Sequence, residues 1–222
     1  MRYRGLALLA VVPLAFFSAC SDSSNGPDDK ATVRFVNATN ANIDVANAGV
    51  VGTGNGNVAF GGSSACMLVS TKRDDLAFRQ AGTTTAIAGF TQDFSEGDNF
   101  TVVAFPSGAS TSFATVSNGS FTATSGQSGL RVFNAASGSG NLVAMIGTTA
   151  LGTGSGVAFG TAGAFMSVPS GTQTITFNTG AGTSTVVSTG SVNLTAGQNF
   201  TLVVAPPSSG STSLRTFLVG GC

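Results

Sequence analysis

The sequence predicts an all-β protein made of two tandem domains, each a sandwich or barrel of short strands, that follow an N-terminal signal peptide. Two observations predict the β-fold: the second half of the chain repeats the first, and short apolar runs alternate with the period of a β-strand. Clusters of Gly, Ser, Thr and Asn separate these runs, as is typical of sandwiches and barrels. No segment after the N-terminal apolar run has helical periodicity.

The repeat is visible in pairs of segments that keep their order along the chain. The pairs are VRFVNA (33–38) with LRVFNA (130–135), CMLV (66–69) with FMSV (165–168), LAFRQAG (76–82) with ITFNTGAG (175–182), EGDNFTVVAFPSG (96–108) with AGQNFTLVVAPPSSG (196–210), and STSFATV (110–116) with STSLRTF (211–217). We therefore place the first domain at residues 31–121, a linker at 122–128 and the second domain at 129–222.

Alternation predicts individual strands within each domain. In NFTVVAF (99–105), residues 100, 102 and 104 face one side and residues 101, 103 and 105 the other. In the segments LAFRQ and TITF, the residues expected to point inward are Leu76, Phe78, Ile175 and Phe177.

A glycine-rich segment, GTGNGNVAFG (52–61), resembles a phosphate-binding loop at first sight. Such a loop must open a helix, and the P-loop form ends in Gly-Lys-Ser/Thr. Neither a lysine nor a helical pattern follows here, and nearly the same string, GTGSGVAFG, recurs at 152–160. We predict a turn between strands and no bound nucleotide.

The N-terminus has the pattern of a secretory signal peptide over residues 1–19, with Arg2 and Arg4 before a short apolar run. Its end, FSAC, resembles the bacterial lipobox, which implies that Cys20 is lipidated; an ordinary cleaved signal with an incidental cysteine is the alternative. Residues 20–30 then form the lipidated cysteine and a flexible polar spacer. Ser21 resembles an outer-membrane sorting signal. We expect an outer-membrane lipoprotein that faces the periplasm or the exterior, attached to the membrane through Cys20.

Composition restricts the chemistry. The chain has no His and no Trp, and its single tyrosine, Tyr3, lies in the signal peptide. Ser-His-Asp and Cys-His catalysis are therefore impossible, and the second domain carries only Arg131 and Arg215 as charged side chains. There is no basic patch for nucleic acid. We expect no enzyme activity and no cofactor.

Most of the charged residues of the first domain lie in two segments that we interpret as turns. KRDD (72–75) is typical of a solvated hairpin turn. QDFSEGDN (92–99) contains candidate calcium ligands, although they lack the EF-hand spacing. The alternative interpretation of this segment is a solvated turn between two strands. These ligands are Asp93, Glu96 and Asp98. A minor hypothesis is an enzyme that uses Asp74, Asp75, Asp93 or Glu96.

Two cysteines follow Cys20, and an even pair in an exported chain favours a disulfide between Cys66 and Cys222. Two unpaired thiols are the alternative. Phe165 aligns with Cys66 in the repeat, so we expect this position to face a core or an interface.

The segments VRFVNA, VAFG and FTVVAFPSG, with their second copies LRVFNA, VAFG and AGQNFTLVV, resemble the bacterial family called domain of unknown function 4397. The resemblance implies exported, often lipid-anchored, immunoglobulin-like modules and transfers no catalytic residue. We expect a non-enzymatic, lipid-anchored envelope protein with a structural or binding role and an unidentified protein or glycan ligand. The alternative is a polysaccharide- or peptide-binding module, possibly accessory to an enzyme, with Phe105, Phe113 and Phe217 as candidate contacts.

Overall fold

The computed structural model describes residues 30–71, 75–87, 89–152, 154–180 and 185–222. Within these ranges the chain forms β-strands and no α-helix, so the predicted all-β fold with two sandwich domains is confirmed. No helix in the described part is long and apolar enough to cross a membrane.

The first domain contains two sheets whose strands alternate in the chain. The strands are β1 (Lys30–Asn37), β2 (Ile43–Asn47), β3 (Val50–Val51), β4 (Met67–Ser70), β5 (Leu76–Gln80), β6 (Asn99–Ser107) and β7 (Ser110–Ser117). One sheet has the order β4-β1-β6-β7 and the other β3-β2-β5. The β1–β6 pair is parallel, while the other pairs are antiparallel.

The second domain repeats this arrangement with one additional strand. Its strands are β8 (Gln127–Asn134), β9 (Leu142–Ile146), β10 (Thr149–Leu151), β11 (Met166–Pro169), β12 (Gly171–Thr179), β13 (Thr185–Leu194), β14 (Asn199–Ala205) and β15 (Arg215–Gly220). The sheets are β11-β8-β14-β15 and β10-β9-β12-β13, and β8 again pairs with β14 in parallel. The first domain has no strand equivalent to β13 in its described part; Ala86 makes only an isolated bridge to Arg79 beside β5.

β8 begins inside the segment that we expected to be a linker. Gln127 and Ser128 already pair with β11, and Ser128 is fully buried. The preceding segment also lies against the second domain, because Asn199 donates a hydrogen bond to the carbonyl of Phe121 and the amide of Thr124 donates one to Ser167. The connection between the domains is therefore short and attached along part of its length.

Each domain has its own apolar core between its two sheets. The first is rich in phenylalanine: the ring of Phe78 lies 4.9 Å from that of Phe35 and 4.8 Å from that of Phe113. The second is mainly aliphatic and contains one buried ring, that of Phe177. The four inward residues predicted from alternation, Leu76, Phe78, Ile175 and Phe177, are all buried.

A third core lies between the two domains. It joins the outer faces of the four-stranded sheets β4-β1-β6-β7 and β11-β8-β14-β15. Its buried members are Val36, Ala38, Val103, Phe105, Val116, Phe133, Ala135, Val203, Ala205 and Val219. These two sheets are thus covered on both faces, once by the partner sheet of their own domain and once by the other domain.

Candidate functional site

The repeated glycine-rich segment connects the two sheets of each domain. In the first domain Val58 pairs with Ile43 of one sheet, and the amide of Gly61 donates a hydrogen bond to the carbonyl of Asn37 of the other. In the second domain Val157 pairs with Leu142, and the amide of Gly160 donates to Asn134. No helix follows either segment in the described residues, so neither has the geometry of a phosphate loop.

The end of each segment, VAFG, also contacts the other domain. The ring of Phe60 lies 5.9 Å from that of Phe217, and the ring of Phe159 lies 5.4 Å from that of Phe105. The glycine that follows has a φ of +77° at Gly61 and +74° at Gly160. A Cβ at these glycines would lie 3.4 and 3.3 Å from the rings of Phe217 and Phe105, so glycine permits both the backbone conformation and the aromatic contact.

One arginine from each domain binds the other domain at equivalent positions. Arg34 of β1 donates to the carbonyl of Gly220 at 2.6 Å, and Arg131 of β8 donates to the carbonyl of Ser117 at 2.5 Å. Ser117 and Gly220 are equivalent, because Ser117 lies opposite Phe100 and Gly220 lies opposite Phe200, the equivalent residue of the second domain. Contacts repeated with exchanged roles are the mark of a two-fold relation, so the two domains are related like the subunits of a symmetric dimer.

Arg131 is almost fully buried and well bonded. Its Nε donates to Thr201 at 2.9 Å, its Nη2 donates to Asn118 at 2.6 Å, and its guanidinium lies 4.3 Å from the ring centre of Phe165. Burial lowers the pKa of Arg131 to about 10, because it removes the water that would solvate the cation. From the sequence, Arg131 stood out only as one of two charged residues in the second domain; the signal for its role was that Arg34 occupies the same position of the repeat.

A disulfide between Cys66 and Cys222 joins the first domain to the end of the second, as the sequence suggested. The two Cα atoms are 5.9 Å apart, within the range that a disulfide requires. Cys66 lies directly before β4 and is exposed, so of the two expected surroundings, a core or an interface, the core is excluded. Cys66 instead lies at the rim of the domain interface, where the guanidinium of Arg34 donates to its sulfur at 3.0 Å.

The equivalent position in the second domain uses aromatic stacking in place of the disulfide. Phe165 precedes β11 as Cys66 precedes β4, and its ring stacks on that of Phe121 at 5.3 Å. Phe121 follows the last strand of the first domain, and Cys222 follows the last strand of the second. In both domains, therefore, the segment after the last strand attaches to the other domain.

The candidate carbohydrate contacts belong to apolar cores. Phe105 is buried in the core between the domains, and Phe217 packs against the same core. Phe113 packs against the core of the first domain. None of the three forms an open aromatic platform of the kind that binds sugars.

The candidate calcium ligands do not come together. Among the described residues no group of three or more His, Cys, Asp or Glu side chains could hold a metal ion. Asp98 instead accepts a hydrogen bond from the backbone amide of Ser95 at 2.7 Å, which stabilises the turn. Asp93 and Glu96 are exposed. Cys20 and Asp74 lie outside the described residues, and Asp75 lies just before β5.

An apolar cleft of about 340 Å³ lies in the second domain, between the edges of its two sheets. Leu142 and Ala144 of β9 form one wall, Val132 and Met166 form the other, and the connection from β10 to β11 closes it. A smaller polar cleft of about 230 Å³ lies at the domain interface, where Asn99 and its equivalent Asn199 both contribute.

The fold and the interface define a class of protein: a tandem pair of β-sandwich domains docked face to face. The chain belongs to the family described as domain of unknown function (DUF4397), whose model matches residues 31–145 and 130–219. No curated protein matches the chain.

Proposed function

We propose that this protein is a non-enzymatic, lipid-anchored protein of the bacterial cell envelope, in which the two domains act as one rigid body with a structural role. The single observation that supports this proposal most directly is the docked interface. A shared apolar core, two reciprocal arginines and a disulfide join the domains.

The disulfide also supports the location. Structural disulfides persist in oxidising compartments and are rare in the cytosol. The signal peptide and the FSAC sequence before the polar spacer agree with export followed by lipidation of Cys20. A rigid pair of domains on a spacer suits a protein that holds a fixed surface at a distance from the membrane.

Replacing the lipidated cysteine tests the anchor. We expect Cys20→Ser to move the protein from the membrane pellet to the soluble periplasmic fraction, because a stable anchor requires the acyl chains. Cells that express each form would be fractionated, and inner and outer membranes separated by density. Cys222→Ser is the matched control, since it also replaces one cysteine by serine but should stay in the outer-membrane fraction. A Cys20→Ser protein that remains in the membrane pellet would contradict the proposal.

A further inference from the structure

Two residues that line the apolar cleft of the second domain are smaller than their equivalents in the first domain. Val132 on β8 lines the cleft, and the equivalent residue on β1 is Phe35, which is fully buried. Ala144 on β9 also lines the cleft, and its equivalent on β2 is Val45. Both replacements remove side-chain volume from the second domain: valine carries two methyl groups in place of the phenyl ring, and alanine lacks the two methyl groups of valine.

The walls of the cleft are held apart by backbone hydrogen bonds. The amide and carbonyl of Val157 bond to Leu142 at 2.8 and 3.0 Å, which fixes the closing connection to one sheet. The amide of Gly163 donates to the carbonyl of Val132 at 2.8 Å, and the amide of Asn134 donates to the carbonyl of Thr161 at 3.1 Å. These two bonds fix the closing connection to the other sheet. The connection is therefore attached to both sheets beside the cleft.

The lining of the cleft is uncharged and partly polar, because backbone groups are accessible beside the apolar side chains, so it selects an uncharged ligand. Its side chains come from Val, Leu, Ala, Met and Gly, with one threonine. The hydroxyl of that residue, Thr161, already donates to the carbonyl of Ala158 at 2.8 Å. The volume lies within the range of about 300–1,000 Å³ that small-molecule sites occupy. Rigid apolar cavities of even about 150 Å³ bind benzene.

We propose that the cleft between β8, β9 and β11 is a binding site for a small uncharged molecule that carries one aromatic ring. The ring takes the place that the side chain of Phe35 takes in the first domain. The remaining volume accommodates a short substituent directed toward the open side. Ala162 of its lining also packs against the core between the domains, so the site borders the domain interface.

Methyl NMR on the full chain provides the test, with toluene as the probe. Met166 lines the cleft, and its equivalent in the first domain, Met67, is buried in the core that Phe35 fills. We expect toluene to shift the Met166 methyl signal in a saturable manner, with a dissociation constant of about 1 mM, as suits a ligand of so few atoms. The Met67 signal should stay unchanged and serves as the control within the same molecule.

Variants copied from the first domain then fill the cleft. Val132→Phe should abolish the Met166 shift, and Ala144→Val should weaken binding by about tenfold, since a few methyl groups in an apolar pocket have effects of this size. Leu68→Phe adds the same ring at an exposed position of the first domain and should bind as the wild type does. Circular dichroism establishes that each variant is folded; if Val132→Phe is not, Ala144→Val decides.

Several results would overturn the proposal. These are equal shifts of Met67 and Met166, no saturation at Met166, and wild-type binding by a folded Val132→Phe or Ala144→Val protein. Tighter binding of 1-octanol than of toluene would also overturn it, because an alkyl chain and not an aromatic ring would then be the preferred occupant.

Discussion

Arg34 and Arg131 occupy the same position of the repeat, yet they differ in burial and bonding. Arg131 is 3% exposed and makes three hydrogen bonds, whereas the Nε of Arg34 is buried with no partner among the described residues. Thr201 accepts a hydrogen bond from Arg131, whereas its equivalent in the first domain, Thr101, donates to the side-chain oxygen of Asn118 at 3.0 Å. The second arginine is therefore the stronger of the two reciprocal contacts.

Arg131→Met should lower the free energy of unfolding by about 2 kcal/mol, because hydrogen bonds to a charged group are worth more than neutral ones. The loss is smaller than three such bonds would suggest, since burial of the cation, visible in the lowered pKa, already offsets part of them. Urea unfolding measures the change. Arg215→Met removes an exposed arginine on β15 and should change stability by less than about 0.5 kcal/mol. Equal losses in the two variants would contradict this role of Arg131.

Asp44 makes the first domain sensitive to acid. Its carboxylate accepts backbone hydrogen bonds from Asn57 at 2.6 Å and Gly82 at 2.9 Å, and these bonds lower its pKa below the usual value for aspartate. A lowered pKa in the folded state means that the stabilisation is present above the unfolded-state pKa and is lost as the pH falls through the folded-state value. We expect Asp44→Asn to be less stable than the wild type at neutral pH and to lose less stability below about pH 4. Parallel slopes of unfolding free energy against pH for the two proteins would contradict this.

At the scale of the elements, alternation in the sequence predicted strands and their inward residues correctly. In β6, Phe100, Val102 and Ala104 contact the core of the first domain, while Val103 and Phe105 contact the core between the domains. The apolar residues on both faces were the signal that this strand is covered on both sides. Period-two alternation separates the two faces of the strand but does not say what lies against each face, so the packing of the other domain against the second face could not be inferred from it.

The last strand shows where repeated letters misled the alignment. STS at 110–112 lies in β7, directly after a tight hairpin, whereas STS at 211–213 lies in the connection before β15. Val116 lies opposite Thr101, and Val219 lies opposite the equivalent Thr201, so Val116 corresponds to Val219. The predicted match of Val116 with Phe217 was therefore wrong. Serine and threonine in a polar connection carry no burial signal, and the connection from β14 to β15 is longer than the β6–β7 hairpin.

At the scale of the whole molecule, the domains complement each other in side-chain size. Phe105 and Ala114 in the first domain stand at the positions of Ala205 and Phe217 in the second, so at these two positions each domain contributes one ring and one methyl group to the shared core. Neither this exchange nor the cleft could be derived from the sequence, because both depend on which sheets pack against each other. The repeat predicted two domains, but it could not predict that they dock face to face.

The disulfide between Cys66 and Cys222 should stabilise this docked pair without being required for it. The bond closes a loop with a sequence separation of 156 residues, and the loss of chain entropy in the unfolded state would amount to at most about 5 kcal/mol. The core between the domains and the two arginine contacts do not depend on the bond. Both cysteines are exposed, so a reductant can reach them in the folded protein.

We therefore expect Cys222→Ser to unfold at lower urea concentration than the wild type while small-angle scattering gives the same radius of gyration for both. Cys66→Ser should behave in the same way, and a reductant should destabilise only the wild type. Mass spectrometry of the unreduced digest should recover a linked pair of peptides that contain Cys66 and Cys222. An expanded scattering profile in either serine variant would mean that the covalent bond, and not the apolar core, keeps the two domains together.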